Sequence, residues 1–311
     1  PRRDPPTTMK RALLVASFFL VLSVALGALY YTQRHNKQAP VSPNAVLEMA
    51  ADAQRDLTRA PMHFTRLSDE EEIAIGKTLA AHYPPPQQEL SPEQQGTAAY
   101  VSLLGARLAA QAQRQLPYRF HVIWDHNMIN AFSLPGGPVY IGEGLLDLMT
   151  TEDELASVLA HELEHIDHYH CVERVQVAAN LKNLNLGVLG ELLQLPFSVW
   201  EAGYQKDEEL EADREGIFLA VEAGYSPYGA VQALNRLTKL GDEYVTRAQA
   251  PEDELSDLAI QSLQGYFRSH PLPSERLAQA NQIIAQQHWE TRKEQKPFHV
   301  EYTVHNGQFV K

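Results

Sequence analysis

The sequence predicts an α+β protein, mainly helical, with a small β-hairpin or sheet beside one central helix. Three observations predict it. Apolar residues recur at helical spacing behind capping signals at Ser68, Ser91 and Thr151. Alternation of period two is confined to short stretches near residues 118–124 and 130–141. The helix expected over Thr151–His170 carries His161-Glu162-Leu163-Glu164-His165, the pattern H-E-x-x-H.

That helix organises the rest. Thr151 and Glu154 have capping-box spacing, and Leu155, Val158, Leu159, Glu162 and Ile166 follow helical spacing. Residues four apart share one face, so His161 and His165 can present two imidazoles to one metal ion. Glu162 is rotated by about 100° from His161 and can stand beside the metal rather than on it. Two neutral nitrogen ligands with a carboxylate nearby suit a hydrolytic zinc site. The plainer alternative, a solvated His/Glu face, fits poorly with the apolar run Ala156 to Ala160.

A second helix is expected over residues 207–224, with Gly224 as its C-cap. Glu209 on it is the candidate third ligand. Asp213, one turn on, can accept the free ring N–H of a liganding His and fix its tautomer. An acidic, solvated face would explain Asp207, Glu208 and Glu215 equally well. It would not explain Ala212 and Gly216, which let this helix pack closely on another.

With 311 residues, the chain can form one large domain or two small ones. A net charge of -13 argues against nucleic-acid binding, which needs a basic surface. Cys171 is the single cysteine, so neither an internal disulfide nor a Cys-based structural zinc site is available. It reads as a packed thiol rather than a nucleophile.

In chain order, residues 12–31 form an uncharged apolar run of 20, long enough to span a bilayer, preceded by Lys10 and Arg11. An uncleaved anchor and a cleaved signal peptide are both open, and both export the body of the protein. Residues 1–32 are therefore read as anchor or signal, 33–67 as a linker, 68–290 as the main domain and 291–311 as a β-hairpin tail. Ser68 opens a helix to about His82, and Pro84-Pro85-Pro86 ends it. Ser91-Pro92 opens another to about Gln115, with Ala99, Leu103, Leu104, Leu108 and Ala109 as its buried stripe. Tyr118 to Trp124 reads as a strand.

Asn130 to Phe132 and Val139 to Ile141 read as strands about the Pro135-Gly136-Gly137-Pro138 turn. This is either an ordinary hairpin or an edge strand at the mouth of an active site. In the second case an extended peptide adds along Val139, Tyr140 and Ile141. Residues 174–200 read as a buried or surface-packed helix, since Lys182, Glu191 and Pro196 argue against a second span. Residues 241–268 read as loop-like at first and helical around Leu255–Phe267. The segment from Ser269 leads into a helix to about Gln287. Asn306-Gly307 signals a terminal hairpin.

The ordered segments NAFSLPGGPVYIGEGLL (130–146), HELEH (161–165), ELEAD (209–213), AGYSP (223–227) and HPLPSER (270–276) resemble one family. It is the HtpX-type and CAAX-prenyl-protease-type zinc endopeptidases (gluzincins), nearest their single-anchored, periplasmic BepA-like branch. The resemblance covers about residues 68–285. It implies a zincin-like metallopeptidase core, one Zn²⁺ per chain and Glu162 as general base. It also implies protein substrates that are unfolded or misassembled envelope proteins, in periplasmic protein quality control. The expected place is the bacterial inner membrane, single-pass through residues 12–31 with the catalytic domain in the periplasm, or the soluble periplasm if that run is cleaved.

His270 opens a family motif and is the candidate donor to an oxyanion. It can instead cap the open zinc position, or be a loop His held by packing. The chain departs from the family pattern at Gln205-Lys206, where Ser-Arg is common, and at Tyr169, where Arg is common. It also shows no C-terminal helical repeat array. A competing function is a latent metalloprotease that acts mainly as a zinc-bound chaperone or assembly factor. A true prenyl-protein protease fits less well with a single span.

Overall fold

The computed structural model describes residues 67–83, 89–181, 204–247, 254–270, 273–293, 296–297, 303–305 and 308–310. The expected span at 12–31, the linker before residue 67 and the apolar stretch 182–203 lie outside them. Among the described residues no helix is long and apolar enough to cross a membrane.

Helix starts are set locally, by reciprocal caps. Helix α1 (Asp69–Ala80) begins where the Ser68 hydroxyl accepts from the Glu71 N–H and the Glu71 carboxylate accepts from the Ser68 N–H, at 3.3 and 2.9 Å. Helix α2 (Pro92–Ala109) repeats the device with Ser91 and Gln94. It stops six residues short of the expected Gln115. The Asp167 carboxylate, from a distant helix, accepts from the N–H groups of Gln113 and Arg114 at 2.8 Å and takes them out of helical bonding. The buried face of α2 also differs from the expected stripe. Leu104 and Leu108 point inward with Tyr100 and Val101, whereas Leu103 is 59% exposed. Gly105 brings α2 against the sheet, since a Cβ there would lie 2.2 Å from the Phe120 ring.

The sheet contains β1 (Arg119–Ile123), β2 (Ala131–Ser133) and β3 (Pro138–Gly142), in the order β1-β3-β2. Strand β2 pairs antiparallel with β3, Phe132 opposite Tyr140, and β1 pairs parallel with β3, Phe120 opposite Val139. This corrects the edge-strand expectation. Val139, Tyr140 and Ile141 form the central strand, bonded on both sides and buried, so no peptide can add along them. The edges are β1 and β2. Gly136 and Gly137 take φ of 76° and 126° in the connecting turn, which glycine allows without strain. The Gly136 N–H donates to Glu72 of α1 at 2.9 Å and ties the turn down.

Helix α3 (Glu143–Leu148) leads to α4 (Glu152–Asp167), the H-E-x-x-H helix. Thr151 and Glu154 form its capping box. Every residue from Asp153 to Asp167 is buried, because α2, β2, β3, α6 (Lys206–Glu222) and α7 (Tyr228–Arg247) surround it. Leu155, Leu159, Leu163 and Ile166 fill the core between them. The helix ends before the expected His170. Tyr169 takes a left-handed φ of 65°, a conformation costing a non-glycine residue about 1–3 kcal/mol, and α5 (His170–Leu181) starts in a new direction.

Helix α7 includes residues 241–247, expected as loop, and α8 (Glu254–Ser269) and α9 (Pro273–Gln286) follow. Residues near the C-terminus form a small antiparallel pair, β4 (Thr303–His305) with β5 (Gln308–Val310). The expected turn between them, Asn306-Gly307, lies outside the described residues. Pro297 bridges to Thr151, at the start of α4.

Candidate metal centre

Helices α4 and α6 approach closely because small residues face the contact. Ala212 is buried, and a Cβ on Gly216 would lie 3.1 Å from the His161 backbone nitrogen. This approach brings Glu209 of α6 to the two histidines of α4. His161 Nε2 and His165 Nε2 are 3.1 Å apart. Glu209 Oε2 lies 3.6 Å from His161 Nε2, and Glu209 Oε1 lies 3.3 Å from His165 Nε2. Ligands at ~2.0–2.2 Å from a tetrahedral zinc sit about 3.3–3.6 Å from one another; both Glu209 separations fall in that range and the His161–His165 separation lies just below it, so the donor set suits the ion.

His270 joins the group from the end of α8, where its N–H still donates to Tyr266 O at 2.7 Å. Its Nδ1 lies 3.0 Å from Glu209 Oε1 and 3.3 Å from His161 Nε2. Its Nε2 lies 3.4 Å from Glu162 Oε1. The ligating atoms of His161, His165, Glu209 and His270 all fall within 4.8 Å of one another. Glu162 is 1% exposed, and its Oε2 is buried with no hydrogen-bond partner among the described residues. A buried carboxylate oxygen left open beside a metal-ligand cluster is available to a proton donor from substrate or water.

Asp213 lies one turn on from Glu209, its Oδ1 2.9 Å from His161 Nδ1. Arg276, which sequence reasoning did not single out, grips it from the other side. Its Nε and Nη2 donate to both Asp213 oxygens at 2.6 and 2.7 Å, and its Nη1 lies 3.1 Å from Glu209 Oε2. The only signal for Arg276 was its place in HPLPSER. Tyr204 and His170 were also missed. The Tyr204 ring stacks on His165 at 3.5 Å and 8°, with the Arg174 guanidinium on its far side at 3.6 Å. His170 Nδ1 lies 3.0 Å from His165 Nδ1. No local pattern marks Tyr204, which meets His165 from far along the chain, and His170 was noted only as the family's His after Tyr169 at the end of the H-E-x-x-H helix, with no role assigned.

Burial alone would raise the Glu209 carboxyl, but His270, Arg276 and His161 together hold it well below the usual carboxylate range. Asp213 is held low the same way, with burial outweighed by Arg276 and His161. Burial pushes His165 well below the ordinary imidazole value, favouring the neutral form that binds metals. His270 moves up, because Glu209 and Glu162 outweigh its burial. A narrow cleft lined by Ser157, Val158, Ala233, Leu237 and Tyr266 opens beside His161 and Glu162.

Residues 95–284 match Peptidase family M48. The chain belongs to peptidase family M48. The resemblance drawn from the motifs is thereby borne out, as is a mainly helical metallopeptidase fold with a small sheet. The M48 region is similar to the beta-barrel assembly-enhancing protease of Yersinia pestis, 32% identical over 201 residues, 58% of this chain and 37% of that one. The Escherichia coli (strain K12) protein of that name is 30% identical over 201 residues, again 58% and 37%. The mitochondrial metalloendopeptidase OMA1 of Schizosaccharomyces pombe is 34% identical over 161 residues, 47% of this chain and 45% of that one. The chain thus spans less than half the length of each of these relatives.

Proposed function

We propose that this chain is a zinc-dependent endopeptidase, with one Zn²⁺ held by His161, His165 and Glu209. The convergence of those three donors beside the open carboxylate of Glu162 carries the reading. When bound, the ion supplies Lewis acidity, which acidifies water and polarises a carbonyl. Glu162 takes a proton from the attacking water and returns it to the leaving amine. His270, between Glu162 and Glu209, donates to the oxyanion that develops on the attacked carbonyl. Asp213 accepts from His161 Nδ1 and leaves Nε2 free for the ion, while Arg276 keeps Asp213 and Glu209 charged.

Among the described residues the sheet edge beside α4 is β2, not β3. Asn130 and Leu134 bond to β3, so the backbone of Ala131 and Ser133 points away from it, with the Ser133 C=O accepting from Cys171 Sγ at 3.8 Å and the Ala131 N–H and C=O left for a partner strand. An extended peptide can pair there, which favours unfolded segments over particular sequences. Two of the relatives are named for beta-barrel assembly, which supports misassembled or extended envelope proteins as substrates. The same relationship supports export of residues 68–290, with 12–31 as an anchor or signal and the domain in the periplasm.

A second reading rests on one observation. His270 Nδ1 sits at ligand-like separations from His161 Nε2 and Glu209 Oε1 and can fill the open coordination position. The protease is then latent, and the chain acts mainly as a zinc-bound chaperone or assembly factor. Casein cleavage by the zinc-loaded full chain separates the two. Glu162→Gln is expected to lower turnover about 10²–10⁴-fold at unchanged zinc content. His270→Ala lowers turnover if His270 is a donor and raises it if His270 is a cap. Equal cleavage by the parent and Glu162→Gln would overturn the mechanism.

A further inference from the structure

The two candidate ligands on α4 have different outer partners. His161 Nδ1 faces the carboxylate of Asp213. Among the described residues, His165 Nδ1 faces no carboxylate at hydrogen-bond distance. It meets His170 Nδ1 at 3.0 Å, both rings being fully buried, and His170 Nε2 lies 3.3 Å from Glu211 Oε2.

We propose that His170 and Glu211 are positioning residues that fix His165 in the metal-binding tautomer. This rests on the reading of His165 as a ligand. A His that ligates through Nε2 must carry its proton on Nδ1. That proton is donated to His170 Nδ1, so His170 must be bare at Nδ1 and protonated at Nε2. The Nε2 proton is donated in turn to Glu211, whose carboxylate only accepts. Each proton position in the chain follows from the one before, and metal binding selects a single arrangement.

The backbone around His170 supports the assignment independently. His170 lies five residues after His165, and a continuous helix would carry it about 140° beyond His165 around the axis. Tyr169 breaks the helix with its left-handed φ of 65° and turns His170 back to His165. Strained positions of this kind persist where surrounding structure holds them and cluster at functional sites. Here Arg114 holds Tyr169, its guanidinium 3.7 Å from the ring centre. Tyr204 stacks on His165 and sets the tilt of the ring, leaving His170 to set its rotation in plane.

The test is the zinc Kd of the full chain in detergent, read by competition with a chromogenic chelator, beside the tautomers of ¹⁵N-labelled His by NMR. His170→Phe, which cannot accept, is expected to weaken zinc binding about 10–100-fold. His170→Asn, whose Oδ1 replaces Nδ1 as acceptor, recovers most of it, and Glu211→Gln weakens binding less than His170→Phe. A folded His170→Phe with the parental Kd overturns the proposal. If His170→Phe does not fold, the parent's spectrum decides: a bare Nδ1 on His170 supports the relay, and a protonated Nδ1 overturns it. His165→Ala serves as the control for the underlying reading. If His165→Ala binds zinc like the parent, the ligand assignment itself is wrong, whatever His170 does.

Discussion

Among the described residues two buried arginines each bridge a pair of carboxylates, and the two clusters do different work. Arg114 pairs with Asp69 and Glu72 near the end of α4. Arg276 pairs with Asp213 and Glu209 beside the candidate metal centre. In the first cluster burial pushes the Glu72 carboxyl up, against the pull of Arg114 and the Gly136 N–H. In the second, Glu209 is just as buried yet is held well below its ordinary value, because His270 and His161 add to Arg276. An arginine beside a buried carboxylate thus accompanies opposite shifts, according to what else surrounds the carboxylate.

The remaining contacts follow that division. Arg114 also donates to the Ile166 carbonyl at 2.7 Å and covers the Tyr169 ring, so its cluster holds backbone: the turn at Gly136 and the break after α4. The Arg276 cluster holds side chains that carry chemistry. Arg114→Leu should therefore show the larger stability effect. It leaves two carboxylates without their shared cation and is expected to cost about 3–5 kcal/mol in chemical denaturation. The fraction that stays folded should keep the parental zinc Kd; a large shift in that Kd would erase the distinction.

Asp213→Asn tests the other cluster. Its expected signature is a zinc affinity about 10–100-fold weaker, or roughly 1.4–2.7 kcal/mol, measured by chelator competition. An unchanged Kd would reduce the Asp213–Arg276 pair to structural filler. The smallest expected effect is at Cys171. It is buried against Tyr204 and Ser133, and burial raises its thiol to about 11. A thiol reagent at pH 8 should leave it unmodified until the protein is denatured. Rapid labelling of the native chain would mean that this wall of the site opens.

The two clusters also mark how far the sequence could be read. Helix starts were legible because Ser68, Ser91 and Thr151 cap through residues three positions away. His161, His165 and Glu162 were legible because one helix sets their geometry. Glu209 and Asp213 were legible as partners on one face, with Ala212 and Gly216 predicting the close packing that the structure has. What escaped depends on contacts far along the chain. Helix α2 stops early because Asp167 captures the N–H groups of Gln113 and Arg114, which would have continued it. Strand β3 is central because β1, some fifteen residues before it, returns to its open side. Tyr204 and His170 act on His165 through a stack and a helix break, neither of which leaves a periodic trace. Arg276 was visible as part of a motif, but its pairing with Asp213 and Glu209 was not.

The central claim is that α4 and α6 together hold one zinc ion. Zinc bound per chain, measured by elemental analysis on the purified 311-residue chain after dialysis, tests it most directly when Glu209→Ala is measured beside the parent. The account predicts one zinc per parent chain and little or none in a folded Glu209→Ala. Equal zinc in both, or none in a folded parent, would contradict it.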